Sequence, residues 1–284
     1  MRWQMGRRSD NIEDRRGMPV GRGAVVGGGL GTVVLVLLAM YFGVDPSVIL
    51  QGTDPGSSPS APNVQQRPAG DDQLRDFVSV ILADTEDTWR DLFRQMGREY
   101  QVPRLVLFSG AVQSACGFAE AAVGPFYCPG DRKVYIDLSF YRDLRDKIGA
   151  PGDFAQAYVI AHEVGHHVQN LLGIAERIHA ARTRRSQAES NALQVRMELQ
   201  ADCLAGVWAS NAQRARQILE AGDIEEGLNA ASAIGDDRLQ RQAQGRVVPE
   251  SFTHGSSAQR VRWFKRGIET GDPGQCDTFT ASKL

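Results

Sequence analysis

The arrangement of apolar and polar positions divides the chain into three parts. Residues 24–44 form an uncharged, apolar run of 21 residues, long enough to cross a hydrocarbon core of about 30 Å as a helix. Residues 45–70 are rich in Pro, Ser, Gly and Gln, and such a segment cannot bury enough apolar surface to fold, so it predicts a tether. Residues 71–284 regain a regular apolar periodicity and predict one folded domain.

Inside this domain, the apolar spacing indicates a small β region followed mainly by helices. An amphipathic helix is predicted over about 73–99, with short strands near 105–108 and 112–115. Apolar runs on either side of the turn sequence at 129–131 predict a β-hairpin. Because strands precede the helices rather than alternating with them, the predicted fold class is α+β, mostly helical.

One predicted helix has two distinct faces, and its ends are marked by Asp153 as the N-cap and Gly173 as the stop. Its apolar face consists of Ala157, Ile160, Ala161, Val164, Val168 and Leu171. Its opposite face carries His162, His166 and Gln169. We therefore expect this helix to lie between a hydrophobic core and a cleft.

The polar face of this helix carries an HExxH motif, which begins at His162 and ends at His166. Side chains four residues apart lie on one face of a helix, so both imidazoles can reach one zinc ion while Glu163 faces the open coordination position. The plain alternative is a pair of surface histidines. The glutamate between them and the apolar opposite face favour the metal site.

A catalytic zinc ion takes three protein ligands and one water molecule, so a third ligand is needed. Metzincins are excluded, because Gln169 and Leu172 stand where their motif requires Gly and His. Glu198 is the predicted third ligand, and Asp202, one turn later, is predicted to accept the second ring N–H of a ligand histidine. Glu189 is the alternative third ligand, although no acidic partner follows it at one-turn spacing. The plain interpretation of the acidic pair is a solvated helix face.

Charge and apolar pattern together suggest a location. A net charge of −2 excludes the strongly basic footprint of nucleic-acid binding. Six arginines precede the apolar run: Arg2, Arg7, Arg8, Arg15, Arg16 and Arg22. The positive-inside tendency then predicts a cytoplasmic region at 1–23, a transmembrane helix at 24–44 and a domain beyond the outer face of the inner membrane. A cleaved signal peptide is the alternative, but the long N-terminal region and the length of the run favour an uncleaved anchor.

The four cysteines predict disulfide bonds, because their number is even and the domain is expected outside the cytoplasm. The pairing that closes the shortest loops joins Cys116 to Cys128 and Cys203 to Cys276. Four cysteines allow three connectivities, and the sequence does not select among them. A structural zinc site is disfavoured, because no close Cys-x-x-Cys pair is present.

Several segments together resemble one family of bacterial proteins. They are Met1-Arg2-Trp3, Asn11–Gly17, Gly124–Pro129, His162–His167, Glu198–Cys203 and Phe252–Gly255. In these segments the chain is similar to the bacterial neutral zinc metallopeptidases, over nearly its whole length outside the tether. The resemblance implies a membrane-anchored, zincin-like domain.

The site chemistry predicts roles for the remaining candidates. Glu163 is the general base, and a further group must donate to the oxyanion that forms during peptide hydrolysis. His254 is the first candidate and Tyr158 the second. Alternatively, His254 is an exposed residue before a helix capped by Ser256 or Ser257, and the sequence favours neither interpretation.

Two functions are consistent with these residues. The first is a gluzincin-like zinc metalloendopeptidase of the bacterial cell envelope that uses one catalytic zinc ion to hydrolyse proteins or peptides. The second is a zinc-bound, proteolytically silent protein that binds a partner. An intact Glu163 favours the peptidase, because a binding protein has no need of a general base.

Overall fold

The computed structural model describes residues 1–18 and 69–284. The strands are β1 (Ile12–Asp14), β2 (Arg104–Phe108), β3 (Ala111–Ser114), β4 (Gly117–Glu120), β5 (Phe126–Cys128) and β6 (Lys133–Asp137). The helices are α1 (Ala69–Gln95), α2 (Ser139–Asp146), α3 (Asp153–Leu171), α4 (Ile174–Arg182), α5 (Gln187–Arg216), α6 (Asp223–Ala233), α7 (Asp236–Gln244) and α8 (Ser257–Thr270). The described chain is therefore mostly helical with a small β region, as predicted.

Four strands form one mixed sheet in the order β1-β2-β6-β5. The predicted hairpin is the antiparallel pair β5–β6, whereas β1–β2 and β2–β6 are parallel. Strands β2 and β6 lie in the middle of the sheet, and Leu105 and Val134, which pair across them, are fully buried. Strands β3 and β4 form a separate antiparallel pair.

Three helices, α3, α5 and α8, pack closely against one another through glycine residues. A Cβ atom on Gly165 of α3 would lie 3.0 Å from the carbonyl oxygen of Ala201 in α5, so a glycine allows these two helices to approach. A Cβ atom on Gly206 of α5 would lie 2.2 Å from the carbonyl oxygen of Phe264 in α8. Helix α3 is buried on its apolar face, as the sequence predicts, and most of its polar face, including His162 and Gln169, is buried as well.

The start of α3 differs by one residue from the prediction. Asp153 is the first residue of the helix, and the N-cap position belongs to Gly152. The carboxylate of Asp153 accepts a hydrogen bond from the Met1 ammonium group at 2.9 Å instead of capping the helix. Oε2 of Glu226 on α6 instead accepts a hydrogen bond of 3.1 Å from the backbone N–H of Phe154, in the first turn of α3. A distant side chain has therefore replaced a local cap.

Residues 1–18 pack against the rest of the described chain. Strand β1 pairs in parallel with β2, and Trp3 packs edge-on against Phe77 of α1. Arg7 forms an ion pair with Glu86 at 2.8 Å, and Arg8 forms one with Asp76 at 2.7 Å. The predicted boundary between a separate N-terminal region (1–23) and a domain (71–284) therefore does not match the packing of residues 1–18. Five of the six arginines that suggested the membrane topology lie in the described residues, and all five form ion pairs there.

The predicted transmembrane helix, residues 24–44, lies outside the described residues. The predicted tether, 45–70, lies outside them too, except for its last two residues, with which α1 begins. None of the helices in the described parts of the chain combines the length and the apolarity that crossing a bilayer requires.

Both expected disulfide bonds are present. Cys116 is joined to Cys128 and Cys203 is joined to Cys276. The first bond ties the hairpin β3–β4 to the edge strand β5, and the second ties α5 to the C-terminal segment. The pairing that closes the shortest loops is confirmed.

Candidate metal centre

Three side chains from two helices converge beside α3. His162 and His166 lie one turn apart on α3, and Glu198 lies on α5. The Oε2 atom of Glu198 is 3.2 Å from Nε2 of His162 and 3.4 Å from Nε2 of His166. The structure thus brings together the three residues that the sequence predicts as ligands, with one ligand atom from each within 4.8 Å of the others.

This spacing fits a tetrahedral zinc ion. Zinc binds histidine nitrogen and carboxylate oxygen at about 2.0–2.2 Å, so two ligand atoms of one tetrahedron lie about 3.4 Å apart. The separations of 3.2 and 3.4 Å match this value. Two imidazole nitrogens and one carboxylate oxygen are also the donor set of catalytic zinc sites that keep a fourth position open. His162, His166 and Glu198 can therefore hold one zinc ion.

Each histidine is oriented by a hydrogen bond to its second ring nitrogen. Nδ1 of His162 donates to Oδ1 of Asp202 at 2.8 Å, and Nδ1 of His166 lies 2.8 Å from Oε1 of Gln169. A neutral imidazole carries one N–H, so these bonds leave Nε2 of both rings free to bind a metal. Asp202 has the supporting role that the sequence predicts, and Gln169 has the same role for His166.

The third ligand is also held in place. Oε1 of Glu198 accepts a hydrogen bond of 2.7 Å from Nε2 of Gln194, one turn earlier on α5. The other carboxylate oxygen, Oε2, is the one that faces the two histidines. Gln194 therefore determines which oxygen of Glu198 points toward the site.

Tyr158 lies on the opposite side of His162 from the site. Its side chain is fully buried, and its hydroxyl donates to Oδ1 of Asp202 at 2.5 Å and accepts from Nη2 of Arg260 at 3.2 Å. Asp202 contacts the Nδ1 edge of His162, whereas a metal would bind at Nε2. The geometry therefore does not support Tyr158 as an oxyanion donor, because its hydroxyl points into the network behind the ring.

The charges around the histidines favour a bound cation. Burial lowers the pKa of His162, but Asp202 and Glu198 raise it overall to about 10. Burial raises the pKa of Glu198, but the two histidines lower it well below its usual range. The metal-free site therefore holds protons where a zinc ion would bind, and zinc binding would displace them.

Glu163 is placed differently from the ligands. It is 7% exposed, and no group in the described parts of the chain hydrogen-bonds its carboxylate. Its charge still acts on the site: burial lowers the pKa of His166, and Glu198 and Glu163 raise it overall. The carboxylate is thus close to the ligands and available to accept a proton.

His254 is held by a carboxylate that sequence reasoning missed. Oδ2 of Asp236 accepts the backbone N–H groups of Thr253, His254 and Gly255 at 2.7, 2.6 and 3.0 Å, and Oδ1 lies 3.2 Å from Nδ1 of His254. The surrounding protein lowers the pKa of His254 by desolvation, but Asp236 and Glu198 raise it overall. His254 is therefore oriented, electrostatically coupled to the site and 51% exposed. The helix that follows it begins with a capping box at Ser256, as predicted.

His167 is buried away from the ligands, in agreement with its omission from the predicted site. The hydroxyl of Tyr127 donates to its Nδ1 at 3.0 Å, and its Nε2 donates to the carbonyl oxygen of Gln101 at 2.6 Å. Burial lowers the pKa of His167 to about 4, so the ring is neutral at pH 7. It links α3 to the edge strand β5.

Two charged residues of the site were missed, and only one of them leaves a sequence signal. Arg260 occupies the apolar face of α8, at helical spacing from the buried residues Trp263, Phe264 and Gly267. A charged residue on an apolar face must find a buried partner, so this pattern could have identified it. Asp236 begins a helix in an Asp-Asp pair, which is common at helix starts and gives no such indication.

A helix-borne HExxH motif joined by a later glutamate is the ligand pattern of many zinc metallopeptidases. The sequence model of the family described as "Putative neutral zinc metallopeptidase" matches residues 1–279. The chain belongs to this family.

The relatives extend over most of the chain. "Uncharacterized protein YpfJ" of Escherichia coli (strain K12) is 54% identical over 290 aligned positions, which cover 99% of this chain and 100% of the relative. "Uncharacterized protein Rv2575" of Mycobacterium tuberculosis (strain H37Rv) is 43% identical over 260 positions, which cover 87% of this chain and 86% of the relative. No solved structure matches the chain.

Proposed function

We propose that the protein is a zinc-dependent endopeptidase that hydrolyses peptide bonds of proteins or peptides. One observation carries the proposal: His162, His166 and Glu198 converge with tetrahedral spacing while the carboxylate of Glu163 beside them has no hydrogen-bond partner among the described residues. A site that only stores or senses zinc does not need this free carboxylate.

The residues divide the chemistry between them. A zinc ion held by His162, His166 and Glu198 would supply an activated water molecule and would polarise the scissile carbonyl group. Glu163 accepts the proton of the attacking water and later delivers it to the leaving amine. His254, held by Asp236 and charged when protonated, donates to the developing oxyanion. Asp202 and Gln169 keep the ligand histidines in one tautomer and orientation.

A location outside the cytoplasm is part of the proposal. It rests on the two disulfide bonds, which form and persist in oxidising compartments. Attachment to the inner membrane through residues 24–44 is a prediction from the sequence alone.

The decisive experiment compares the zinc-loaded protein with Glu163→Gln, using denatured proteins and quenched-fluorescence peptide libraries as substrates. Glu163→Gln should retain zinc but lower kcat/KM by about 10³- to 10⁴-fold, because the glutamate is a base and not a ligand. Glu176→Gln, an exposed substitution on the next helix, is the matched control and should leave both properties unchanged.

Two results would contradict the peptidase. Equal hydrolysis by the parent protein and Glu163→Gln would mean that the activity comes from a contaminant. Absence of any cleavage above the level of Glu163→Gln, with stoichiometric zinc in both proteins, would favour the silent partner-binding protein instead.

A further inference from the structure

Among the described residues, the hydrogen-bond partners of the Arg260 side chain all lie beside the metal site. Nε donates to Oδ2 of Asp202 at 3.0 Å, and Nη2 donates to Oδ1 of the same carboxylate at 2.8 Å. The remaining polar contacts of the guanidinium are with Tyr158 and His162. Arg260 is 2% exposed and Asp202 is fully buried.

The bidentate contact fixes the rotation of the carboxylate. Oδ1 of Asp202 accepts from His162, Tyr158 and Arg260, whereas Oδ2 accepts from Arg260 alone. Rotation of the carboxyl group would break both bonds to Arg260. The direction of the bond to Nδ1 of His162 is thus set by a planar partner that can match both oxygens at once.

The pair also makes a buried negative charge tolerable at this position. The side chain of Asp202 is not exposed to solvent, and burying a carboxylate without a cation beside it carries a large free-energy cost. Without Arg260, Asp202 would be expected to move toward solvent or to bind differently to its neighbours. Either change would release the ring of His162.

We propose that Arg260 is a positioning residue of the zinc site, which acts through Asp202 to hold His162 in its ligand orientation. This inference rests on the proposed zinc-dependent function. Asp202 alone orients the histidine, but the orientation of Asp202 depends on a third helix, α8. The zinc site therefore draws on α3, α5 and α8 together.

Zinc affinity of the full chain tests the inference, measured by competition with a chromophoric chelator. Arg260→Gln should weaken zinc binding by about 10- to 100-fold, the range for outer partners of ligand histidines. Arg260→Lys keeps the charge but cannot match both oxygens, so its affinity should lie between those of Arg260→Gln and the parent. Lys265→Gln removes an exposed charge from the same helix and should leave the affinity unchanged.

A double-mutant cycle separates positioning from a purely structural role. If Arg260 acts through Asp202, Arg260→Gln should not weaken zinc binding further in an Asp202→Asn background. The spectrum of the cobalt(II)-substituted protein should change in Arg260→Lys, because ligand geometry has changed. Unfolding temperatures of the metal-free variants show how much of each loss of zinc affinity comes from a less stable fold.

The outcomes are distinct. A parent protein that binds no zinc would refute the metal site and, with it, the proposed function. A parent that binds zinc while folded Arg260→Gln binds it equally well would overturn only this inference. Failure of both Arg260→Gln and Arg260→Lys to fold, or additive losses in the cycle, would assign Arg260 a structural role and also overturn it.

A second inference rests on the packing of residues 1–18 and not on the proposed activity. Strand β1 shares a sheet with β2, and the carboxylate of Glu86, whose side chain is 1% exposed, accepts hydrogen bonds from Ser9, Asn11 and Arg7. These contacts require residues 1–18 and 69–284 to meet during folding. We propose that both parts of the chain lie in the same compartment.

This arrangement gives the N-terminal arginines another explanation. Arg2, Arg7 and Arg8 form ion pairs with acidic residues beyond residue 69, and Arg15 and Arg16 pair with acidic residues of β1. Five of the six arginines that suggested a cytoplasmic N-terminus are therefore parts of the folded body.

Labelling of single cysteines in whole cells tests this arrangement, because the four native cysteines form two disulfide bonds. Met5 is 98% exposed and the side chain of Arg94 on α1 is 77% exposed. Met5→Cys and Arg94→Cys should react alike with a membrane-impermeant maleimide, before and after the inner membrane is opened. The parent protein provides the background. Reaction of the two variants from opposite sides would overturn the proposal.

Discussion

At the scale of single residues, the metal site depends most on Glu198, because one of its oxygens faces both histidines. Glu198→Ala removes one of three ligands and should weaken zinc binding by more than the roughly 10- to 100-fold that outer partners contribute. Elemental analysis and chelator competition on the purified protein measure this loss.

Glu189 provides the matched control, since it was the alternative third ligand and lies on the same helix. Its carboxylate closes a capping box with Ser186 at the start of α5 and is 58% exposed. Glu189→Ala should keep full zinc and lose about 1 kcal/mol of stability at most. Loss of zinc in Glu189→Ala, with retention in Glu198→Ala, would transfer the ligand role to Glu189.

The second residue-scale prediction concerns His254 and pH. Desolvation lowers the pKa of His254, and Asp236 raises it, with a net upward shift. If the protonated ring donates to the oxyanion, the rate falls as pH rises through this pKa. Asp236→Asn removes a charge that favours the proton, so this alkaline limb should move to lower pH.

Profiles of kcat and kcat/KM against pH check this prediction, and Asp237→Asn is the neighbouring control. Asp237 accepts hydrogen bonds from Ser257 at the start of α8 and forms no hydrogen bond with His254, so its substitution should leave the alkaline limb in place. Asp236→Asn should also lower kcat more than it changes KM. An unchanged limb in Asp236→Asn would favour the other interpretation of His254, an exposed residue before a helix.

At the scale of elements, the contact between α5 and α8 depends on glycine. A Cβ atom on Gly267 would lie 2.0 Å from the carbonyl oxygen of Cys203 and 2.8 Å from the backbone nitrogen of Val207. Backbone atoms cannot move aside as a flexible side chain can. Gly267→Ala should therefore destabilise the protein by about 1–3 kcal/mol or more, and should also weaken zinc binding, because α8 carries Arg260.

Denaturant unfolding together with zinc titration measures both effects. Ala258→Gly, at an exposed position of the same helix, is the control for helix propensity and should lose about 1 kcal/mol without affecting zinc. A Gly267→Ala protein as stable as the parent would contradict this prediction, since α5 and α8 would then move apart without a loss of stability.

At the scale of the whole molecule, the N-terminal residues should be required for stability. Removal of residues 1–14 takes away β1 and the three hydrogen-bond donors of the buried carboxylate of Glu86. The carboxylate of Glu86 would keep the longer ion pair with Arg90 at 3.6 Å but lose its three hydrogen-bond donors from the N-terminal segment, so the shortened chain should unfold at a clearly lower temperature.

Glu86→Gln makes this prediction specific. In the full chain the substitution should destabilise, because Arg7 and Arg90 each lose one of their carboxylate partners. In the shortened chain it should restore part of the stability, because a neutral amide is easier to bury than a carboxylate that has lost Arg7, Ser9 and Asn11. Equal unfolding temperatures of the full and shortened chains would show that residues 1–14 contribute nothing to the fold.

The sequence by itself determined the features that depend on local spacing. The HExxH histidines lie four residues apart, as do Glu198 and Asp202, and the strands of the hairpin β5–β6 alternate every two residues. Helix and strand geometry place side chains at these spacings on one face. The even number of cysteines predicted disulfide bonds but left three connectivities open, and the structure selected the pairing with the shortest loops. The α+β class followed from the order of these local signals along the chain.

Only the tertiary structure decided the features that join distant residues. Arg260 meets Asp202 across a separation of 58 residues, and Ser9 meets Glu86 across 77. Tyr158 shares a face of α3 with His162, yet its hydroxyl serves Asp202 because another helix supplies the acceptor. A charged side chain in a sequence does not reveal its partner, since the attraction depends on which helices and strands pack together. For this reason the ligands and Asp202 were predicted from the sequence, while Arg260, Asp236 and the place of residues 1–18 were not.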